Sequence, residues 1–307
     1  MKLFIRKFFL FSFLSVFLVV LYENSLSFVP NTYTLKKKLV EENKEHIQMI
    51  VLGTSRAFSG IMPNKMNDFT VNIGNNSQSI YYDIELLKKY IKNLPHLKAI
   101  VFDINFFTFE YNLDVGPEAW RALYYYNTFN IIPQTKELSF SDKFLIKMYK
   151  PKDIIFHINS IPKYKNYYKN RGFAINTESS YLINKEDATK RYNHLTKNYM
   201  KNSDKDFIVK KLEEFIDSLK DSQIEVVFVQ IPISPIMYSC IDKKLLEENN
   251  NTLNSFCEKY TNVTSINMLK DIRFLNNDFR DSDHLNSNGA NKFSKLLNSE
   301  INKLYID

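Results

Sequence analysis

The chain has 307 residues, of which 44% are hydrophobic, and its 41 lysines and arginines outnumber its 34 acidic residues to give a net charge of +7. This hydrophobic content excludes a generally disordered chain and is enough for a packed core. The basic residues are scattered rather than gathered in one stripe, which disfavours nucleic-acid binding and fits attraction to an anionic membrane or an acidic polymer.

The first 22 residues differ in kind from the rest. Lys2, Arg6 and Lys7 flank an apolar run from Phe8 to Tyr22, which lies at the lower edge of the length that crosses a bilayer. The positive flank favours a cytoplasmic N-terminus and sends the remainder across the membrane. We therefore predict an uncleaved signal anchor over residues 1–22 and a periplasmic or cell-surface domain, with a cleaved signal peptide as the alternative.

A polar stretch at 23–45 is expected to be a connector, and an α/β domain is expected over residues 46–307. The domain opens on Met49-Ile50-Val51-Leu52, a continuous apolar run that is typical of a buried parallel strand. Gly53-Thr54-Ser55 ends that run, so Ser55 lies at the edge of the sheet where ligands of open α/β sheets collect.

Strand-like and helix-like segments then alternate along the chain. This alternation predicts a parallel sheet with helices on both faces, a three-layer flavodoxin-like fold with strand order 2-1-3-4-5. The predicted later strands lie at 69–73, 97–105, 224–231 and 262–266, and the predicted helices at 80–94, 203–219, 243–260 and 287–304.

The alternation breaks between residues 106 and 202. This stretch predicts a helical or irregular insertion over the functional edge of the sheet. It holds the only tryptophan, Trp120, and grouped tyrosines at 124–126 and at 164, 167 and 168. Such aromatic residues suit sugar stacking, although core packing is the more common role.

The two cysteines, Cys240 and Cys257, leave two states open. Outside the cytoplasm they could form a disulfide, and two buried thiols are the alternative. No histidine lies near them in sequence, so the spacing indicates no zinc site.

A serine nucleophile needs a base, and a neutral imidazole oriented by a carboxylate is the usual one. Of the five histidines, His284 alone follows the last predicted strand, with Asp281 three residues before it. That spacing allows one loop to present both base and orienting carboxylate. Asp283 is expected to point elsewhere, as a capping or surface residue. The remaining histidines lie before strands (His46, His96) or in the insertion (His157, His194).

An acyl-transfer site also needs donors for a developing oxyanion. The backbone amide of Ser55 is one candidate, and the amide of Gly74 after the second strand is another. The side chains of Asn75, Asn76 and Asn105 follow the second and third strands and are further candidates.

These motifs resemble those of the SGNH or GDSL-like hydrolase superfamily. Gly53-Thr54-Ser55 matches the Gly-Asp-Ser block with threonine for aspartate, and Asp281-Ser282-Asp283-His284 matches the C-terminal Asp-x-x-His. Asp103-Ile104-Asn105 only partly replaces the family's Gly-x-Asn-Asp. The resemblance covers 48–105 and 224–304. It implies a triad of Ser55, His284 and Asp281, with a glycine and an asparagine completing the oxyanion hole.

Within that superfamily, the anchor and the altered motifs are similar to those of bacterial extracytoplasmic acyl-transfer proteins, including relatives of the alginate O-acetylation and teichoic acid D-alanylation proteins. The resemblance implies that a membrane-embedded partner donates an acyl group to the serine, which passes it to a cell-surface polysaccharide. Esterase and transferase share these steps and differ in the hydroxyl that resolves the seryl ester.

Two other functions compete with an enzyme. Threonine in place of aspartate and the weak third block fit a non-catalytic glycan-binding or assembly protein on a degenerate hydrolase scaffold. A phosphate-binding flavodoxin-like module would need a glycine-rich loop, which the sequence lacks. No cofactor or metal is expected.

Overall fold

The computed structural model describes residues 1–135, 137–149, 151–175, 183–200 and 204–304, and its centre is a five-stranded sheet. All neighbouring strands run parallel, in the order β2-β1-β3-β4-β5. The predicted fold class and strand order are therefore confirmed. The strands are β1 (Met49–Leu52), β2 (Thr70–Asn72), β3 (Ala99–Asp103), β4 (Glu225–Gln230) and β5 (Val263–Asn267).

Helices precede, separate and follow the strands. The helices are α1 (Lys2–Leu26), α2 (Thr32–Asn43), α3 (Ser55–Gly60), α4 (Ile80–Tyr90), α5 (Ala122–Phe129), α6 (Pro151–Asn159), α7 (Ile161–Lys169), α8 (Lys185–Tyr199), α9 (Lys205–Asp217), α10 (Pro235–Cys240), α11 (Lys243–Lys259) and α12 (Ser287–Leu304).

Both faces of the sheet are covered because successive side chains of a strand point to opposite faces. In β1, Ile50 and Leu52 belong to one buried cluster, whereas Met49 and Val51 belong to the other. The first cluster includes apolar residues of α4, α9 and α11, and the second includes those of α3 and α12. The three central strands, β1, β3 and β4, are nearly continuous apolar runs because both of their faces are buried.

Helix α1 is long and apolar enough to cross a membrane, and its most apolar stretch is not buried against the protein. It ends at Leu26, a little beyond the predicted limit of 22, and Leu26 itself packs into the core. The Glu23 carboxylate accepts hydrogen bonds from the backbone amides of Leu145 (2.5 Å) and Ile146 (2.9 Å). The base of α1 is therefore fixed to the insertion.

The segment expected to be a connector contains α2. The helix begins at a reciprocal cap, in which the Asn31 side chain accepts from the Thr34 amide and the Thr34 hydroxyl accepts from the Asn31 amide. Tyr33, Leu39 and Val40 are buried in the core, and α2 contacts β2, α5 and α7. Residues 32–43 therefore pack as part of the folded domain despite their polar composition.

The insertion carries α5 to α8 and extends the β2 edge of the sheet. The Asn72 amide donates to the Arg171 carbonyl, and the Ala174 amide donates to the Phe58 carbonyl, both at 2.9 Å. The aromatic residues of the insertion differ in exposure: Tyr125 is fully buried, whereas Trp120 is half exposed. Cys240 and Cys257 are both thiols in the structure.

Candidate active site

Ser55 is presented by a sharp turn from β1 into α3. Gly53 has a φ of +128°, and a Cβ on it would lie 2.5 Å from the Cβ of Asp103. Only glycine fits this conformation so close to β3. Thr54 then caps α3, accepting a hydrogen bond from the Arg56 amide at 3.2 Å, and Ser55 is the first residue of the helix.

The serine hydroxyl lies against His284. The distance from Ser55 Oγ to His284 Nε2 is 2.8 Å, and His284 Nδ1 lies 2.9 Å and 3.1 Å from the two carboxylate oxygens of Asp281. The Asp281 Oδ1 atom also accepts from the backbone amide of His284 at 2.9 Å, which closes the loop. The structure therefore brings together the three residues that the sequence singled out, with His284 between the Ser55 hydroxyl and the Asp281 carboxylate.

Asp283 is not the surface residue that the sequence suggested. It is 3% exposed, and its Oδ1 lies 3.4 Å from His284 Nδ1. Arg191 of α8 donates to both of its carboxylate oxygens, from Nε at 3.1 Å to each and from Nη2 at 2.9 Å. Arg191 lies in the insertion, 92 positions away, so no local sequence pattern could have identified the pair.

The two carboxylates change the acid–base properties of the imidazole. Burial lowers the pKa of His284, but the charges of Asp283 and Asp281 outweigh it and raise that pKa above its ordinary value. Burial raises the pKa of Asp283, but His284 and Arg191 outweigh it and hold that pKa well below its usual range. The two acidic neighbours thus stabilise the protonated form of His284 relative to that of a solvent-exposed histidine.

Some of the candidate oxyanion donors line the cleft of Ser55, and others are buried away from it. Asn76 is exposed and lines the cleft that contains Ser55 and His284, and its backbone amide donates to Asn75 Oδ1 at 2.9 Å. Asn76 therefore shares this cleft with the serine. Asn75 itself is buried and bonds to Thr32.

Gly74 and Asn105 are absent from the described residues that line this cleft. The Gly74 amide already donates to Asn72 Oδ1 at 3.0 Å, and a Cβ at this position would lie 2.9 Å from the Gly53 carbonyl oxygen. The glycine allows close packing of two strand ends rather than exposing a donor. Asn105 is fully buried, and its Oδ1 accepts from the Phe107 amide at 2.9 Å.

Asn72 is a positioning residue that the sequence analysis missed. Its Nδ2 donates to the carbonyls of Ala57 (2.7 Å) and Ile61 (3.0 Å), and it is fully buried. It therefore fixes the far end of α3 to β2, behind Ser55. The available signal was an asparagine at the end of a predicted buried strand, because a buried amide is normally hydrogen bonded.

The cleft has a volume of about 350 Å³ and lies at the carboxyl ends of the strands, as expected for this class of sheet. Arginines at 56, 121, 191 and 280 line it, along with two carboxylates, those of Glu118 and Asp283. Thr54, which stands where the resemblance calls for aspartate, donates to the buried Asp103 Oδ2 at 3.0 Å. It therefore ties the turn to β3, and it also lines the cleft.

Asp281, Asp283 and His284 are the described residues that could hold a metal ion, since their donor atoms lie within 4.8 Å of one another. These atoms are already engaged: both imidazole nitrogens bond to Ser55 and Asp281, and Asp283 is held by Arg191. The arrangement suits proton transfer.

No family model and no curated protein matches the sequence. Solved structures do match, each with a TM-score of 0.42. A protein from Streptococcus pneumoniae assigned as a platelet activating factor is 13% identical, over 93% of this chain and 98% of its own. An assigned acylhydrolase from Bacteroides fragilis is 11% identical, over 87% and 96%. A GDSL-like lipase from Bacteroides thetaiotaomicron is 10% identical, over 89% and 99%. The chain is similar to these proteins, and their activities are not thereby shown for it.

Proposed function

We propose that this protein is a serine-dependent O-acyltransferase or esterase that modifies a cell-surface polysaccharide through a seryl-ester intermediate. The observation that supports this most directly is the 2.8 Å contact between Ser55 Oγ and His284 Nε2, with Asp281 on the other imidazole nitrogen. A hydroxyl in contact with an oriented imidazole is the arrangement that activates serine for acyl transfer.

In the first half-reaction, Ser55 Oγ attacks the ester carbonyl carbon while His284 Nε2 takes the hydroxyl proton. The imidazolium is stabilised by Asp281 and Asp283, in keeping with the raised pKa of His284. The backbone amide of Ser55 and the side-chain amide of Asn76 are the proposed donors to the tetrahedral oxyanion. Collapse of the intermediate breaks the bond to the leaving alcohol, which takes the proton from His284.

In the second half-reaction, an acceptor hydroxyl gives its proton to His284 and attacks the seryl ester. The bond from the acyl carbon to Ser55 Oγ then breaks, and Oγ takes the proton back from His284, which restores the free enzyme. Water as acceptor makes the protein an esterase, and a sugar hydroxyl makes it a transferase. The excess of 41 basic over 34 acidic residues in the chain fits a polysaccharide bearing acidic groups.

The proposed location is outside the cytoplasm, with α1 as a single-pass anchor. The length and apolar composition of α1 support this location. An acyl donor held in a membrane-embedded partner protein fits such an anchored enzyme, because both proteins would then remain at the same membrane surface.

Covalent labelling tests the nucleophile. The native chain should react with a fluorophosphonate probe at Ser55, and Ser55→Ala should abolish labelling. The matched control is Ser77→Gly, which removes the other serine hydroxyl lining the cleft at a residue whose φ is +56°. Full labelling of Ser55→Ala would refute the proposal.

The acceptor is tested after acylation with p-nitrophenyl acetate. Adding an oligosaccharide should divert acetyl from free acetate to a sugar ester if the protein is a transferase, and should leave acetate release unchanged if it is an esterase. A chain that binds the oligosaccharide, forms no seryl ester and is unaffected by His284→Ala would instead be the non-catalytic glycan-binding protein.

A further inference from the structure

A second and larger cavity lies beside the cleft of Ser55. Its volume is about 650 Å³, and it shares Asn76 and Arg121 with that cleft. Seven phenylalanine, tyrosine and tryptophan side chains line it, including Phe58, Trp120 and Phe156. The rings offer a broad apolar surface for a ligand that carries hydrocarbon as well as polar groups.

The charge of this cavity has one sign. Four cationic side chains line it, those of Arg121, Lys147, Lys152 and Lys163, and no carboxylate is among its described lining residues. Lys147 is paired with Asp142 at 2.6 Å, and Arg121 is paired with Glu118. Among the residues described, no carboxylate lies at ion-pair distance from Lys152 or Lys163. These two lysines would receive an anion.

The cavity lies next to the base of α1. Lys147 follows directly after Leu145 and Ile146, whose backbone amides bind the Glu23 carboxylate of α1. Exposed apolar side chains lie in the two segments that carry Lys147 and Lys152, residues 140–147 and α6. This apolar rim comprises Phe140, Phe144, Ile146, Ile155, Phe156 and Ile158, each at least 38% exposed.

An exposed apolar patch of this kind marks a protein or membrane contact. Here it continues from a helix that is long enough to span a bilayer. Aromatic and aliphatic side chains interspersed with lysines are also the composition of segments that lie in a membrane interface. A free acidic glycan would account for the lysines but not for the apolar rim.

We propose that this cavity binds the head group of an anionic phospholipid. The phosphate lies between Lys152 and Lys163, the glycerol and first methylenes lie on the rings, and the apolar rim rests in the membrane interface. The shared Arg121 and Asn76 place the bound lipid beside Ser55. The site does not depend on the acyl-transfer function.

Trp120 is a built-in reporter, because it is the only tryptophan of the chain and it lines the cavity. The full chain, in neutral detergent micelles, is titrated with dihexanoyl phosphatidylglycerol while Trp120 emission is recorded and bound lipid is counted by native mass spectrometry. We expect a saturable change in emission with one bound lipid. Lys152→Glu combined with Lys163→Glu should weaken binding at least tenfold.

The matched control is Lys295→Glu on α12, an exposed lysine outside this cavity, and it should bind as the native chain does. Dihexanoyl phosphatidylcholine, inorganic phosphate and polygalacturonate are the competing ligands. Equal binding of phosphatidylcholine would overturn the role of the lysines. If inorganic phosphate or polygalacturonate saturates the site at an equal or lower concentration than phosphatidylglycerol, the proposal that the ligand is a lipid is wrong. The same conclusion follows if no phosphatidylglycerol binds.

Discussion

Arg191 holds both carboxylate oxygens of Asp283, which in turn lies 3.4 Å from His284 Nδ1. A helix of the insertion thereby reaches the loop that carries the imidazole. The contact has a chemical consequence, because a carboxylate kept ionised beside an imidazole favours the protonated ring.

The first prediction concerns Asp283. Asp283→Asn should lower the pKa of His284, because it removes the nearest buried negative charge. His284 must be neutral to accept the serine proton, so activity falls as the pH drops through its pKa. The acid limb of kcat/KM for p-nitrophenyl acetate should therefore move to lower pH, with the maximal rate largely kept.

The comparison variant is Asp281→Asn, which removes the charge of the carboxylate nearest to Nδ1 and leaves an amide oxygen to accept the bond that closes the loop. It should lower kcat by ~10³- to 10⁴-fold at all pH values. An unchanged acid limb in Asp283→Asn would contradict the assigned role of Asp283.

The free energy of unfolding should depend on pH through His284 and Asp283. The raised pKa of His284 contributes stability that is fully present below about pH 6.5 and is lost as the pH rises through the folded-state value. The depressed pKa of Asp283 contributes stability that is lost only as the pH falls through that low value. Urea unfolding between about pH 4 and pH 9 measures the His284 effect as a loss of stability in the upper part of this range. The Asp283 contribution should stay constant over the same range, because its low pKa lies below it.

The second prediction separates the oxyanion candidates. Asn76→Ala should lower kcat by ~10²-fold with little change in KM, because its amide would act mainly on the transition state. Asn105→Ala should instead act on stability, since Asn105 is fully buried and holds the Phe107 amide. Steady-state kinetics and urea unfolding of both variants distinguish the two roles. A normal kcat in Asn76→Ala would assign the oxyanion to other donors.

The third prediction concerns the turn before Ser55. Gly53→Ala should destabilise the fold by at least ~2 kcal/mol, because the new Cβ would lie 2.5 Å from Asp103 Cβ at a φ of +128°. Gly60→Ala is the control, because its Cβ would meet neighbours at ordinary distances of 3.6 Å or more. Urea unfolding midpoints should fall for the first variant and stay within about 0.5 kcal/mol of native for the second.

The fourth prediction concerns Asn72. Asn72→Ala removes the hydrogen bonds to the Ala57 and Ile61 carbonyls and to the Gly74 amide. Leaving such buried groups unpaired should cost about 2–4 kcal/mol. Because α3 carries Ser55, kcat should also fall in the folded variant. A stable variant with native kcat would show that α3 is held by other contacts.

The sequence by itself determined the sheet and the loop that carries the base. Strands covered on both faces need continuous apolar runs, so β1 and β4 are visible as patterns, and short crossovers restrict the strand order. The spacing of Asp281 and His284 is local, so their contact follows from three positions on one turn.

Tertiary structure alone decided which polar groups meet across the chain. Arg191 and Asp283 are 92 positions apart, and the polar segment at 32–43 becomes core because Tyr33, Leu39 and Val40 find partners on β2, α5 and α7. The Gly74 amide already donates its hydrogen bond to Asn72 Oδ1, and only the folded structure shows this pairing. Such pairings depend on distances between elements, and the periodicity of one element carries no information about its neighbour.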